Sequence, residues 1–343
     1  MKINRPFVLR DKPTPEIVDL LESVTLGTNG ARYRHLDTAD RIKHLYNPLF
    51  LSLEGKSKVL GNVTFCRRDV GWYVRYFAFS NKMQSESASS TKKSTDGYLK
   101  KSLYNFFKSV LEEGETNLFY AYIDRRNERS SWVSKNFGFE TVAKIVTQTY
   151  SRINPKRKEC VKEITDKTEL EEVKNKIKAL YGDYNLYFTL HTFDDNPFYG
   201  LYENGEIKAF VKTHKANWKV ERLGGKMGGI MTAVAPFIPG VKKLFNPSQH
   251  GFLAVEAVWV NENNPETLNT LLEGVLYNEN ANSLIWWVDK KDNAYTEYKD
   301  KVTWGLFNKL NGANEVDLVM LSKNHSDNIK SDKPFYTTAF DFI

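Results

Sequence analysis

Hydrophobic and polar positions follow two different periods along the first part of the chain. Alternating or continuous apolar runs predict strands over 5–10, over 48–68 and over 71–80, which together would form an antiparallel meander. Between the first two of them, apolar residues at helical spacing after Thr14, with proline next in the chain, predict a helix over 14–24. The opening third of the protein therefore mixes helix and sheet.

A change of pattern follows the meander. The serine-rich stretch 81–95 is polar and without periodicity, which predicts a mobile loop. A strongly amphipathic helix is predicted over 96–114, and then a buried strand over 117–124. The sequence NERSSWVSKNFGFE, residues 127–140, predicts a further helix that begins at an asparagine cap and ends at Gly138, with a strand directly after it.

The second half of the chain repeats this order of elements. Its pattern predicts a helix over 166–181, a hairpin around Asn204, a strand over 251–260, a capped helix over 264–277 and a buried strand over 283–289. A helix over 293–310 and closing strands over 315–321 and 333–342 would follow. A local echo supports the repeat, because YIDRRNE (122–128) and WVDKKDN (287–293) each place an aspartate at a strand end before two basic residues. An internal duplication is the simplest interpretation.

Composition narrows the class of protein without naming a partner. The 343 residues are 41% hydrophobic and 27% charged, as in ordinary globular proteins, and 49 basic against 42 acidic residues give a net charge of +7. That charge suits nucleic acid or a polyphosphate nucleotide equally. Cys66 and Cys160 lie far apart and predict reduced packing residues, and the absence of a signal or a long apolar run predicts a cytoplasmic protein without a membrane span.

The order strand, loop, helix, strand, helix, ending in NFGF, resembles the GNAT superfamily of N-acetyltransferases. In that family the last helix is patterned roughly N-x-x-A-x-x-L-Y-x-x-x-G-F, and Asn127, Ser130, Val133, Gly138 and Phe139 fall in register with it. The resemblance implies a fold of class α+β. We expect two tandem GNAT-like domains, each a mixed, mostly antiparallel sheet flanked by helices.

The resemblance also implies boundaries and a cofactor. We expect an acyl-CoA-binding domain over 1–155 and a degenerate GNAT-like domain over 156–343, which has a Gly/Pro-rich insertion at 222–251. The co-substrate would be acetyl-CoA or another acyl-CoA. Asn127 and Ser130 would lie along its pantetheine arm.

The family's phosphate-binding loop, usually Q/R-x-x-G-x-G/A, has a partial counterpart in STDGYL, residues 94–99. Gly97 occupies the position of the middle glycine, Ser94 replaces the basic or amide residue, and Tyr98 precedes a leucine where a small residue is usual. Lys92 and Lys93 could offset the lost charge. Backbone N–H groups at a helix start bind phosphate, so these residues are cofactor-site candidates.

The strand YVRYFAFS matches the family's pantetheine-pairing strand, which makes Phe77, Ala78 and Phe79 further cofactor-site candidates. The family's general-acid tyrosine corresponds to Ser134, whose hydroxyl is a weaker proton donor.

The remaining catalytic candidates are polar residues on strands that could border the cleft, namely Glu54, Tyr73 and Glu221. Together these features predict an acyl-CoA-dependent N-acyltransferase, in the first place an N-acetyltransferase, acting on a small-molecule or peptide amine. Two alternatives stay open: a peptidyltransferase-like protein that takes aminoacyl-tRNA, and a non-catalytic scaffold with a degenerate GNAT fold.

The stretch 222–251 departs from any plain strand pattern. Glycines pair around Lys226, and an apolar run ends in Pro239 and Gly240. A phosphate-binding nest, a lid over an acyl chain, a contact with a lipid surface and a loop packed against the other domain are all compatible with this composition.

Overall fold

A computed structural model describes residues 6–27, 31–56, 58–80, 93–223, 228–312, 314–323 and 329–343. Within them, one 13-stranded sheet runs through the molecule. Its strands are β1 (Phe7–Arg10), β2 (Arg32–His35), β3 (Pro48–Glu54), β4 (Val59–Arg68), β5 (Gly71–Phe79), β6 (Leu118–Asp124), β7 (Glu140–Ser151), β8 (Val161–Glu163), β9 (Phe198–Glu203), β10 (Glu206–Arg222), β11 (His250–Val260), β12 (Ser283–Asp289) and β13 (Asn314–Ser322).

Helices flank this sheet, and their apolar faces pack against it. They are α1 (Pro15–Ser23), α2 (Thr38–Lys43), α3 (Lys93–Glu112), α4 (Glu128–Asn136), α5 (Lys167–Tyr181), α6 (Gly228–Val234), α7 (Pro239–Leu244), α8 (Pro265–Asn278), α9 (Asn293–Tyr298) and α10 (Leu306–Asn311). In the described part of the chain no helix is long and apolar enough to cross a bilayer. The predicted α+β class, with a mixed and mostly antiparallel sheet, is confirmed.

The strand order shows how the two halves are joined. It runs β1-β3-β4-β5-β6-β13-β7-β12-β11-β10-β9-β8, with β2 beside β10. Strand β7, from the first half of the chain, therefore lies next to β12 of the second half, and β13 lies next to β6 of the first. Each half gives one strand to the other, and the pair β7–β13 closes the centre of a continuous sheet. The domain boundary near residue 155 stays a prediction.

Two parallel strand pairs begin together and then part. β5 pairs with β6 only at Trp72↔Phe119 and Tyr73↔Tyr120. β11 pairs with β12 only from Leu253↔Leu284 to Val255↔Trp286. In both halves a bulge follows two residues later. Arg75 is the extra residue between Thr64↔Tyr76 and Phe65↔Val74, and Ala257, at φ 51°, lies in the bulge of β11 against β10.

A β-bulge bends and twists the strand that carries it. The bulges therefore explain why β5 and β11 turn away from their parallel neighbours.

The gap in the second half is filled by the chain itself. Phe335 donates its N–H to Asp289 Oδ2 at 2.8 Å, and Thr337 donates its hydroxyl to the Trp287 carbonyl at 2.8 Å. Tyr336 is 4% exposed, and only a small void of about 20 Å³ remains beside it. The prediction of a strand over 333–342 is wrong. Side-chain hydrogen bonds join this segment to β12, and its backbone forms an isolated bridge between Phe335 and Asn185 instead of a strand ladder.

Four other expectations need correction or lie at least partly outside the described residues. The helix before β6 begins at Lys93, so Gly97 lies inside it rather than in a preceding loop. The single helix expected over 293–310 is two, interrupted before Gly305, whose φ is 101°. Residues 81–92 of the loop expected over 81–95 and residues 224–227 of the nest expected around Lys226 lie outside the described residues, and 93–95 belong to α3 instead of the loop.

Gly71 allows β5 and β6 to lie in close contact beside the two residue pairs that join them. Its φ is 130°, and a Cβ there would lie 2.2 Å from Leu118 Cδ1 on the neighbouring strand. We expect Gly71→Ala to lower the free energy of unfolding by about 2–5 kcal/mol, through backbone strain and overpacking together. Urea denaturation measures this loss. Gly205→Ala is the matched control, because its φ is 82° with nothing within 4 Å, so only strain of about 1–2 kcal/mol applies. Equal losses would contradict a close contact at Gly71.

Candidate active site

A cavity of about 970 Å³ opens where β5 and β6 part. Most of its surface is apolar, and both halves of the chain contribute to it. The first half supplies β5, β6 and helices α3 and α4, and the second half supplies parts of β10, β11, β12 and the segment 341–342. A volume of this size is at the upper end of small-molecule sites. The described residues contain no cluster of ligating side chains that could hold a metal ion.

The wall formed by β5 and α4 contains most of the predicted cofactor residues. Phe77, Ala78 and Phe79 line it, as do Asn127 and Ser130. Beyond Tyr73, the described part of β6 no longer pairs with β5, so backbone groups on this side of the strand are available to a ligand.

Asn127 also stabilises the start of α4. Its side-chain oxygen accepts from Ser130 N at 3.1 Å and caps α4, as the sequence predicts.

The predicted phosphate site is only partly at the cavity. Gly97 lines it, with nothing within 4 Å of its missing Cβ, whereas Tyr98 is 52% exposed and does not line it. The side chain of Ser94 lies outside the described residues, although α3 includes its backbone.

Basic side chains gather on the α3 and α4 side of the cavity. Lys100, Arg126 and Arg129 all line it. Lys100 donates to Asn136 Oδ1 at 2.8 Å and lies 4.8 Å from the centre of the Trp132 ring. Cations at one side of an apolar cavity suit a polyphosphate group.

The four predicted catalytic residues divide into two pairs. Ser134 and Tyr73 line the cavity, but both hydroxyls are engaged: Ser134 donates to the Ser131 carbonyl at 3.0 Å, and Tyr73 donates to the Asp341 carbonyl at 2.7 Å. Glu54 and Glu221 do not line it. Glu54 pairs with Arg10 at 2.6 Å beside the sheet edge.

Glu221 lies on β10 but does not line the cavity. Its carboxylate pairs with Arg34 at 2.9 Å and accepts a hydrogen bond from Thr25 at 3.0 Å. Burial raises the pKa of Glu221, but these hydrogen bonds outweigh it and hold the pKa below its usual value. An ionised, fully paired carboxylate is a weak base.

Tyr122 is a candidate that the sequence did not reveal. It lies on β6 two residues beyond the last pair with β5, lines the cavity, and packs edge-on against Trp287 at 5.0 Å. Its hydroxyl has no hydrogen-bond partner within the described residues. Burial, with the charge of Asp341, raises its pKa well above the usual value, so the phenol stays protonated and can donate. The stretch NLFYAYID indicates only a buried strand, so nothing in it marks this tyrosine.

The opposite wall is aromatic and comes from β2 and β10. The rings of Tyr33 and Trp218 stack at 4.2 Å, and that of His35 lies 5.3 Å from Trp218 and parallel to it. Both nitrogens of His35 are buried without a partner in the described structure. Burial, with the nearby charges of Arg75 and Arg41, lowers the pKa of His35 to about 3. Its imidazole is therefore neutral at physiological pH.

A short segment, residues 338–343, closes the inner end of the cavity; we call it the strap. Its Asp341 forms a buried two-point ion pair with Arg68, with N–O distances of 2.5 and 2.9 Å. Arg75, the bulge residue, donates to the carbonyls of Phe340 and Ile343. Ala339 donates its N–H to Glu256 at 3.0 Å. Both halves thus clamp the strap.

No family model matches the chain, and no curated protein matches it in sequence. Solved structures do match over nearly its whole length. N-myristoyltransferase from Saccharomyces cerevisiae with bound myristoyl-CoA aligns with a TM-score of 0.58 at 8% identity, over 98% of this chain and 85% of that one. A GCN5-related N-acetyltransferase from Sphaerobacter thermophilus aligns with a TM-score of 0.51 at 11% identity, over 96% and 99%.

A putative acetyltransferase from Pyrococcus horikoshii aligns with a TM-score of 0.51 at 12% identity, over 99% of this chain and 97% of that one. The chain has the GNAT fold. At these identities the likeness shows the fold alone. Within this fold, the cavity lies where strands β5 and β6 part.

The strap should depend on its buried ion pair. Asp341→Asn leaves the Arg68 guanidinium, whose side chain is 1% exposed, without a counter-charge. Removing one partner of a buried pair costs about 3–5 kcal/mol, so we expect that loss in the free energy of unfolding. Chemical denaturation measures it. Asp40→Asn is the control, since that carboxylate pairs with Lys43 on the surface and should be neutral to stability. An equally neutral Asp341→Asn would show that the strap is held by other contacts.

Proposed function

We propose that this protein is an acyl-CoA-dependent N-acyltransferase whose coenzyme binds between β5 and β6. The observation that carries the proposal is the parting of these strands over a 970 Å³ apolar cavity with cations on one side. The coenzyme phosphates would lie near Lys100 and Arg129, and the pantetheine arm would lie along Phe77 to Phe79. The gap between β11 and β12 offers no such room, because 335–337 occupies it.

The cavity favours a long acyl chain over an acetyl group. Its rings include Phe107, Phe137 and Phe139, which lie behind β5 and α4. Each methylene group removed from water contributes about 0.8 kcal/mol, so a long chain gains far more than an acetyl group from such walls. The N-myristoyltransferase that shares this fold was solved with a fourteen-carbon acyl-CoA, myristoyl-CoA, which supports the same choice.

The reaction would be attack of a neutral amine on the thioester carbonyl carbon. A C–N bond forms, the C–S bond breaks, the amine loses a proton, and the thiolate of coenzyme A leaves and is protonated. The carbonyl oxygen gains negative charge on the way, and preorganised donors stabilise such charge. Tyr122 is placed to supply one donor. His35, neutral and without a partner in the described structure, can accept a hydrogen bond from the amine.

Ligand binding tests the site directly. A ligand that binds only the native state at 100 times its Kd should stabilise the protein by about 2.7 kcal/mol. We expect acyl-CoA to raise Tm, a long-chain acyl-CoA more than acetyl-CoA at equal concentration, in a thermal-shift titration. Ser130→Trp, on the cavity wall, should abolish the shift, whereas Lys135→Trp, exposed on the same helix, should keep it. No shift with millimolar acyl-CoA, together with salt-dependent binding of aminoacyl-tRNA, would favour the peptidyltransferase alternative instead.

Tyr122→Phe tests the donor. Loss of one donor to a developing oxyanion lowers kcat by about 10²–10³-fold, and the affinity for acyl-CoA should not change. Release of free coenzyme A thiol, with a pool of small amines and short peptides as acceptors, measures the rate. Tyr277→Phe is the matched control, because Tyr277 is 45% exposed and does not line the cavity. Equal rates for the two variants would exclude the role given to Tyr122.

A further inference from the structure

The segment 228–245 carries an apolar surface that nothing in the described structure covers. Its exposed apolar side chains project from α6 and from the turn that follows it. They are Ile230 at 58%, Val234 at 43%, Phe237 at 83% and Ile238 at 42% exposure. Ile153, 41% exposed, adjoins them, since its Cδ1 lies 3.8 Å from where a Cβ on Gly240 would be. We call these five residues the outer patch.

The same segment already uses its other face for folding. Ala235, Leu244 and Phe245 are buried against Val220 and Phe307. Thr232 accepts from Leu223 N at 2.9 Å and donates to the Gly228 carbonyl at 2.7 Å, which ties α6 to the end of β10. The outer patch is therefore a second apolar face on an anchored element, and large exposed apolar patches mark interaction sites.

The charges carried by this segment have one sign. No Asp or Glu occurs between Glu221 and Glu256 in the sequence. Lys242 and Lys243 are exposed, and Lys242 donates its N–H to the Ile238 carbonyl at 2.8 Å, one turn from the patch. Arg222 is exposed and has no carboxylate partner within the described residues. The patch thus combines exposed rings and aliphatic groups with unneutralised cations.

We propose that the outer patch docks the protein on an anionic lipid bilayer. Apolar side chains enter the headgroup boundary while lysine and arginine attract acidic lipids, each basic group adding to the affinity. The apolar stretch is short, so docking is weak and reversible. The docked face would lie over the cavity, since Leu223 and Phe307 both pack beneath this segment and line the cavity. This inference does not rest on acyl transfer.

Flotation with vesicles tests the proposal on the full chain. We expect co-flotation with phosphatidylcholine vesicles that contain about 30% phosphatidylserine, and much less with phosphatidylcholine alone or at high salt. Phe237→Ser with Ile238→Ser should lower the partition coefficient about ten-fold or more, and so should Lys242→Glu with Lys243→Glu. Because all four side chains are exposed, Tm should not change.

Leu180→Ser is the matched control, since Leu180 is 40% exposed on α5, outside the patch, and should float as the parent does. Three results would overturn the proposal. One is no flotation of the parent chain on anionic vesicles. Another is flotation that the patch variants leave unchanged. The third is a concentration-dependent dimer in light scattering that Phe237→Ser dissociates, which would make the patch a contact between two copies.

Discussion

The ladder between β5 and β6 ends after two residue pairs, and the rest of the site depends on that end. Each strand keeps its other neighbour, because β5 pairs with β4 as far as Phe79 and β6 pairs with β13 along its whole length. The sheet is therefore stable on both sides of the gap. The bulge at Arg75 turns β5 away from β6, and the Arg75 guanidinium group donates hydrogen bonds to the Phe340 and Ile343 carbonyls of the strap. The bulge residue Arg75 thus has two effects: it bends β5 away from β6, and its side chain holds the strap at the inner end of the cavity.

The two halves treat the same architecture differently. Both have a parallel strand pair that parts just before a bulge, but residues 335–337 fill the gap in the second half. The backbone N–H groups of Glu266 and Thr267 at the start of α8 donate to the side chain of Asn264, so they are not available to a ligand. The second half instead lines part of the cavity of the first half and holds the strap in place. It supplies Trp218, His250 and Trp287 to the cavity and Glu256 to the strap. The exchange of β7 and β13 fixes these walls relative to the first gap.

Local patterns predicted much of the local structure, whereas the pairing of distant strands could not be read from them. The cap at Asn127, the left-handed Gly138 and the turn at Asn204 and Gly205 follow from residue type and short spacing. The strand exchange depends on pairing between segments more than 130 residues apart, which no local pattern contains. The same reason hides Tyr122. Its role comes from lying two residues past a ladder end that is set by a bulge on another strand.

In the proposed reaction, the charges of the cavity favour an amine that is unprotonated. Its carboxylates are already paired, Asp124 with Arg126 at 2.7 Å and Asp341 with Arg68, so neither is free to stabilise an ammonium group. Arg75 is close by and cationic, and the low pKa of His35 keeps that ring neutral. A like charge and burial both disfavour the protonated amine. The site itself would thus promote the reactive form, which reduces the demand on a strong general base.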